Sequence, residues 1–113
     1  MKRGCAVARA SLALCLEEDV PAKLDHIGRR IEAGLGPPDV RRRGGIVAVD
    51  LPAGEGAPGY LSSLSLRLRA AAIERGVLLR PLGNVLYAMP PACTTDEQCD
   101  RIAAAMNALA RLA

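Results

Sequence analysis

Apolar positions recur along this chain in four helix-like stretches and three short strand-like ones, punctuated by glycine and proline. Residues 5–18 read as a first helix, rich in Ala and Leu, with Arg9 the lone charge between Gly4 and Leu16. Its apolar residues fall on almost every side rather than on one stripe. Such a helix is stable when buried all round. A chain this small cannot easily do that, so part of the surface is expected to face something outside this sequence. Pro21 opens a second helix at its first position, and Leu24, Ile27, Ile31 and Leu35 form a clean single stripe. Asp25, His26, Arg29, Arg30 and Glu32 fall off that stripe, which makes His26 a surface residue rather than a ligand. Gly34, Gly36 and the Pro37-Pro38 pair stop the helix.

"RGGIVAVDL" (43–51) reads as a strand entered through two glycines, and "PAGEGAPG" (52–59) as a loop. A third helix over 60–75 turns Leu61, Leu64, Leu68 and Ala72 inward and ends on Gly76 as its cap. Strands at 77–80 and 84–89 follow. Thr94 or Thr95 caps a last helix reaching about residue 111, and Thr94-Thr95-Asp96-Glu97 fits a capping box. Ile102, Met106 and Leu109 are its buried face. This order predicts an α/β domain of the α+β kind over residues 1–113. It has a small, mostly antiparallel three-stranded sheet with helices packed on one face.

Composition changes the picture in one respect. Half of the 113 residues are hydrophobic, yet there is no Phe or Trp and only two Tyr, Tyr60 and Tyr87. The core must therefore come from small aliphatics, which bury less area per residue. Net charge is +3; the only lysines are Lys2 and Lys23, so thirteen of the fifteen Lys and Arg residues are arginine. The densest cluster, Arg41, Arg42 and Arg43, reads as a solvated turn leading into a strand. With no stacking aromatics beside it, nucleic-acid binding is not expected.

Cys5, Cys15, Cys93 and Cys99 form no CxxC pair, and the single His26 offers no ligand at zinc-motif spacing, so no metal site is expected. Reduced, mostly buried thiols are the expectation. The start, "MKRGCAVARASLALCLEEDV", mimics a signal peptide. Arg9 interrupts its apolar run, however, and Glu17, Glu18 and Asp19 stand where small residues should precede a cleavage site. The run is too short to span a bilayer. A helix of a cytoplasmic protein, with no membrane partner, is the reading.

The candidate chemistry lies in "GVLLRPLGNVLYAMPP" (76–91). Alternation places Val77 and Leu79 on one face and Leu78 and Arg80 on the other. Pro81 pushes Arg80 toward an extended conformation. Arg80-Pro81-Leu82-Gly83 has proline and glycine where a type I turn favours them. A guanidinium mounted so rigidly suits two parallel hydrogen bonds to a carboxylate. From spacing alone, Arg80 also reads as a structural ion-pair or surface residue.

The same stretch resembles the C-terminal segment of class III pyridoxal-phosphate aminotransferases, and most of all their diaminopelargonate synthase branch. That branch aminates 8-amino-7-oxononanoate, in biotin biosynthesis, with S-adenosylmethionine as amino donor. "CAVARASLAL" (5–14), "VRRRGGIVAVDL" (40–51) and "TTDEQCDRIAAAM" (94–106) are similar to the family's first helix here, its glycine-containing strand and its final helix. The resemblance implies that Arg80 binds the carboxylate of 8-amino-7-oxononanoate. Tyr87 stands at the family's hydrophobic-Tyr position, open to lining the pocket or to cross-strand packing. Ala92 stands where family members often carry Tyr.

Chemistry with pyridoxal 5'-phosphate needs a lysine for the Schiff base, an acid for the pyridine nitrogen and a phosphate cradle. Lys2 and Lys23 do not sit in the family's lysine motif. The resemblance therefore implies a small C-terminal domain whose large domain and homodimer partner are missing. No cofactor and no catalytic residue are expected in this chain alone. The alternative is a stand-alone α/β binding or interaction module without catalysis.

Overall fold

The computed structural model describes residues 2–51 and 63–112, with side chains at all of them except 63 and 64. The described residues form helices α1 (Lys2–Glu17), α2 (Val20–Gly34), α3 (Ser63–Glu74) and α4 (Asp96–Ala110) and strands β1 (Arg41–Arg43), β2 (Ile46–Asp50) and β3 (Val85–Ala88). The strands make one antiparallel sheet in the order β1-β2-β3. The expected loop over 52–59, Leu61 and the Leu64 side chain lie outside the described residues.

Sequence dictates the break between α1 and α2. Asp19 adopts a left-handed conformation, φ 48°, and its carboxylate accepts from the Ala22 amide at 3.4 Å. Aspartate tolerates that backbone and caps well, while Pro21 in the first turn gives up an amide that had no partner anyway. The stripe on α2 is confirmed: Ile27 and Ile31 are buried, and Leu35 packs against the core from the edge. Helix α1 buries nothing, and Val7, Leu12, Leu14 and Leu16 stand exposed. The radius of gyration, 16.1 Å, accordingly exceeds the roughly 13 Å of a compact chain this long.

The sheet differs from expectation at one edge. Residues 43–51 are not a single strand: Gly44 (φ 56°) and Gly45 form a two-residue hairpin loop, and the three arginines before it are a strand. Gly44 supplies the positive φ that such a tight turn needs. Arg42 pairs with Val47 and points the same way, toward α2, while Arg41 and Arg43 face out. The Arg42 guanidinium is 19% exposed and held by Asp25 (2.8 Å) and Glu32 (3.4 Å) of α2. Arg41 reaches Asp50 across the hairpin at 2.8 Å. The cluster is thus an anchored strand, not a solvated turn.

Residues 77–80, by contrast, form no ladder. Their alternation holds, with Leu79 buried and Leu78 and Arg80 exposed. The backbone partners are spent elsewhere. The Val77 amide donates to Ala72 in α3, and Pro81 has no amide to give. The turn also lies two residues later than expected. Leu82 and Val85 exchange both backbone hydrogen bonds at 2.9 Å around Gly83 (φ 62°) and Asn84. Glycine at the first central position is the demand of a type II′ hairpin turn. Asn84 then extends the pairing past β2, its amide group donating to the Leu51 carbonyl at 3.0 Å.

Helices lie on one face of the sheet, as expected. Val47, Val49, Leu86 and Ala88 point to that face and are buried with Ile27, Ile31, Leu68, Ala72, Met106 and Leu109. The α4 cap sits one residue later than the quoted box. Thr95 Oγ1 accepts from the Gln98 amide at 3.2 Å, and Gln98 reaches back to the Thr95 amide at 2.9 Å. Thr94 instead donates to the Pro91 carbonyl. Helices α2 and α4 are tied along their length. His26 meets Asp96 at 2.8 Å, and Arg30 grips Asp100 with two 3.0 Å bonds. Asn107 satisfies the end of α2 through Gly34 and Gly36.

Two outcomes follow for stability. A Cβ at Gly28 would collide with the Gly44 carbonyl of the hairpin turn. Gly28→Ala should therefore destabilise the fold by about 1–3 kcal/mol, the cost of forced overpacking. Gly4→Ala, in open space on α1, should not lower the unfolding midpoint; equal midpoints for the two variants would contradict the packing. The second outcome concerns acid. The Arg42 hydrogen bond, with Arg29 nearby, holds the Asp25 carboxyl below its usual 3.8, and Arg30 does the same for Asp100. A carboxyl depressed on folding stabilises above the unfolded value and loses that effect as pH falls through the folded one. Thermal stability should thus drop as pH is lowered past 3.8. Asp100→Asn, scanned by calorimetry, should flatten part of that drop.

Candidate functional site

A cleft of about 620 Å³ is bounded by residues 76–80, the end of β3 through Pro91, and the first turns of α4. Each wall is fixed locally. Gly76 (φ 78°) closes α3 with two bonds, its own amide to Ile73 and that of Val77 to Ala72, the reciprocal pattern of a Schellman end. The chain then runs extended to Arg80, and buried Pro81 and the Gly83-Asn84 turn send it back along β3. Pro90 and Pro91 carry it to the cap of α4.

Arg80 lines this cleft, is exposed, and makes no hydrogen bond or ion pair among the described residues. The structural ion-pair reading thus finds no partner among the described residues. Tyr87 also lines the cleft, half-buried, and sits opposite Ala48 in the β2–β3 ladder. Leu78 and Met89 are exposed and Ile102 half-buried, so the cleft offers an apolar wall beside an exposed guanidinium. An arrangement of that kind can hold an aliphatic acid: the carboxylate on the guanidinium, the chain on the wall.

Sequence reasoning missed three features of the site. Arg101 and Gln98 of α4 also line the cleft, and so does Cys93. Nothing in the local pattern marks Arg101, because Glu97 four residues earlier gives it an obvious helical partner. The thiols are not mostly buried either: Cys5 and Cys93 are exposed, Cys15 is intermediate, and only Cys99 is buried. Cys5 and Cys15 lie on α1, which buries no residue, and that accounts for two of the three. His26 is on the surface, as expected, and pairs with Asp96. Among the described residues no three His, Cys, Asp or Glu side chains gather to hold a metal, and no helix is long and apolar enough to cross a membrane.

Comparison with known proteins decides the family. The family model "Aminotransferase class-III" matches residues 3–110. The chain belongs to the class III aminotransferases. Similar to this class III chain are two curated adenosylmethionine-8-amino-7-oxononanoate aminotransferases. That of Synechococcus elongatus is 46% identical over 108 residues, covering 91% of this chain and 25% of the relative. That of Corynebacterium glutamicum is 32% identical over 111 residues, covering 92% and 24%. Among solved structures, the enzyme of that name from Methanocaldococcus jannaschii superposes with a TM-score of 0.78 at 25% identity, over 96% of this chain and 27% of that one. An amine transaminase from an uncultivated Pseudomonas species gives 0.80 at 26% identity, over 96% and 27%. The chain thus spans about a quarter of the length of the relatives it matches.

The class III family implies pyridoxal phosphate in the complete enzyme. The residues of this chain do not fit that group. Lys2 stands exposed at the start of α1, and Lys23 pairs with Glu18 at 3.5 Å. Neither lines the cleft.

Thiol chemistry offers a check on the cleft. Burial, reinforced by the charges of Asp96 and Asp100, pushes the Cys99 thiol up from its usual value of 9.0, which removes the reactive thiolate. In the native chain an alkylating reagent should label Cys93 promptly and Cys99 only after unfolding. Peptide mapping that finds both labelled at one rate would contradict the placement of α4.

Proposed function

We propose that this chain is the C-terminal part of a biotin-pathway aminotransferase. The complete enzyme converts 8-amino-7-oxononanoate to 7,8-diaminononanoate in the cytoplasm with S-adenosylmethionine as amino donor. This part forms one domain over residues 1–113 and supplies the arginine that holds the substrate's carboxylate. The observation that carries the reading is Arg80, a guanidinium unpaired among the described residues, on a fixed mount beside an apolar wall. The names of relatives that cover more than nine-tenths of the chain support the substrate.

A nine-carbon oxo acid suits such a place. Its carboxylate takes the two parallel N–H donors of a guanidinium, and its methylenes lie on Leu78, Met89 and Ile102. The reacting carbon stands far from the acid end, so the residues that act on it belong to another part of the complete enzyme. The uncovered apolar side chains of α1 support the same division. They are the surface on which the large domain, or the second subunit of a homodimer, packs.

The test is Arg80→Ala in the enzyme assembled with its large domain. Affinity for 8-amino-7-oxononanoate should fall by about 1.5–3 kcal/mol, the worth of a hydrogen bond to a charged group. The fold should be unaffected, since Arg80 pairs with no charged side chain among the described residues. An unchanged apparent affinity would remove the carboxylate role.

A further inference from the structure

Arg101 stands four residues after Glu97 on α4, acid first, the order that favours an ion pair on a helix surface. The pair does not form. Arg101 makes no ion pair or hydrogen bond among the described residues. Its Nη1 atom lies over Gly76 instead, 3.9 Å from where a Cβ there would stand. Both residues line the cleft that also holds Arg80.

A packing explanation for this position is weak. The end of α3 beneath Arg101 is already closed by the Gly76 and Val77 amides, and Arg75 covers the Ala71 carbonyl at 3.0 Å. The Ala71, Ala72 and Ile73 carbonyls thus already have donors other than Arg101. Two guanidiniums from different elements, one on the 76–80 arm and one on α4, thus border one apolar-walled cleft that no acid among the described residues lines.

We propose that Arg101 is a second carboxylate-binding residue of this cleft, acting with Arg80 on the acid end of an unbranched aliphatic carboxylate. The inference rests on the reading of the cleft given above and adds a residue to it. A carboxylate offers about four lone-pair sites, and a bidentate guanidinium occupies two. A second cation can therefore join without displacing the first. The pair also sets polarity. Two uncompensated positive charges attract an anion and repel an ammonium, so an amino acid of this length enters acid first.

The experiment titrates the 113-residue chain calorimetrically with nonanoate, and with nonylamine as the cationic control, at two salt concentrations. The wild type is compared with R80Q, R101Q and R101K, and thermal unfolding is recorded for each. Nonanoate should bind and nonylamine should not. R101Q should weaken nonanoate about three- to fivefold, the range of an exposed ion pair, and R101K should restore part of it. R101Q should also lessen the salt dependence while the unfolding midpoint stays put. Loss of binding in R80Q with none in R101Q would overturn the role of Arg101 and leave that of Arg80 standing. Weakening in R101Q that comes with a lowered unfolding midpoint would make Arg101 a structural cap, which also overturns the proposal. Absence of nonanoate binding by the wild type would overturn both readings.

Discussion

Everything on the cleft side of this molecule depends on how closely α4 can lie against α2. The chain has no Phe or Trp to fill space, so contact has to come from small groups brought near. Gly34 on α2 meets Ala103 on α4 so tightly that a Cβ at the glycine would sit 2.9 Å from the alanine methyl. Around that point Ile27, Ile31, Cys99 and Met106 are buried almost completely. The seam is then flanked by ionic and amide ties, from His26–Asp96 at one end to Asn107 at the other. Exposed pairs of that kind contribute little energy each. Their effect is on register: they leave α4 one rotational setting. That setting buries Cys99, Met106 and Leu109 and turns Gln98 and Arg101 toward the cleft.

A second close approach does the same for the sheet. Gly28 admits the carbonyl of Gly44, so the β1–β2 turn rests on the α2 backbone. Arg42 then bridges the hairpin to Asp25 and Glu32 on the same helix. A buried face of small aliphatics gains roughly 25 cal/mol per Å², and a core without aromatics has limited area to gain it from. Backbone proximity and a partly buried charge pair make up the specificity that side-chain volume would otherwise supply. Helix α1 stands outside this arrangement. Among the described residues it packs on α2, and it buries no side chain.

Local signals in the sequence were read well where a residue's role depends on its near neighbours. The α2 stripe, the Gly76 cap and the alternation of Val77, Leu78, Leu79 and Arg80 all depend on spacings of four residues or fewer. The failures share a physical cause. Whether "RRRGG" is a turn or a strand depends on whether α2 offers carboxylates to Arg42, seventeen and ten residues away at Asp25 and Glu32. Whether 77–80 joins a sheet depends on where its amides are spent, and the Val77 amide is spent on α3. The cap of α4 stays open between Thr94 and Thr95 in the sequence, and the box falls one residue early, because the two offer equivalent hydroxyls and the Pro91 carbonyl chooses between them. Arg101 was invisible because a plausible partner stood four residues away. In the site, the residue with an unusual mount was legible, and the one with an ordinary helical setting was not.

The mount is the deeper reason that Arg80 suits recognition. An arginine loses roughly 2 kcal/mol of side-chain entropy when fixed, and a mobile backbone beneath it would add to that loss on binding. Here the backbone is fixed beforehand from both directions. Upstream, the doubly bonded end of α3 sets where the arm begins. Downstream, buried Pro81 fixes one dihedral, and the reciprocal Leu82–Val85 bonds lock the turn that follows. Between those anchors there are only three residues, Val77, Leu78 and Leu79, and two of them face the core side. These anchors hold the backbone at Arg80, so the side chain leaves for the cleft from a constant place while its own rotamers remain free. Preorganisation of this sort reduces the cost of binding without adding a single contact. It also explains why a proline and two glycines flank an otherwise apolar run: they hold one cation at a set distance from an apolar wall.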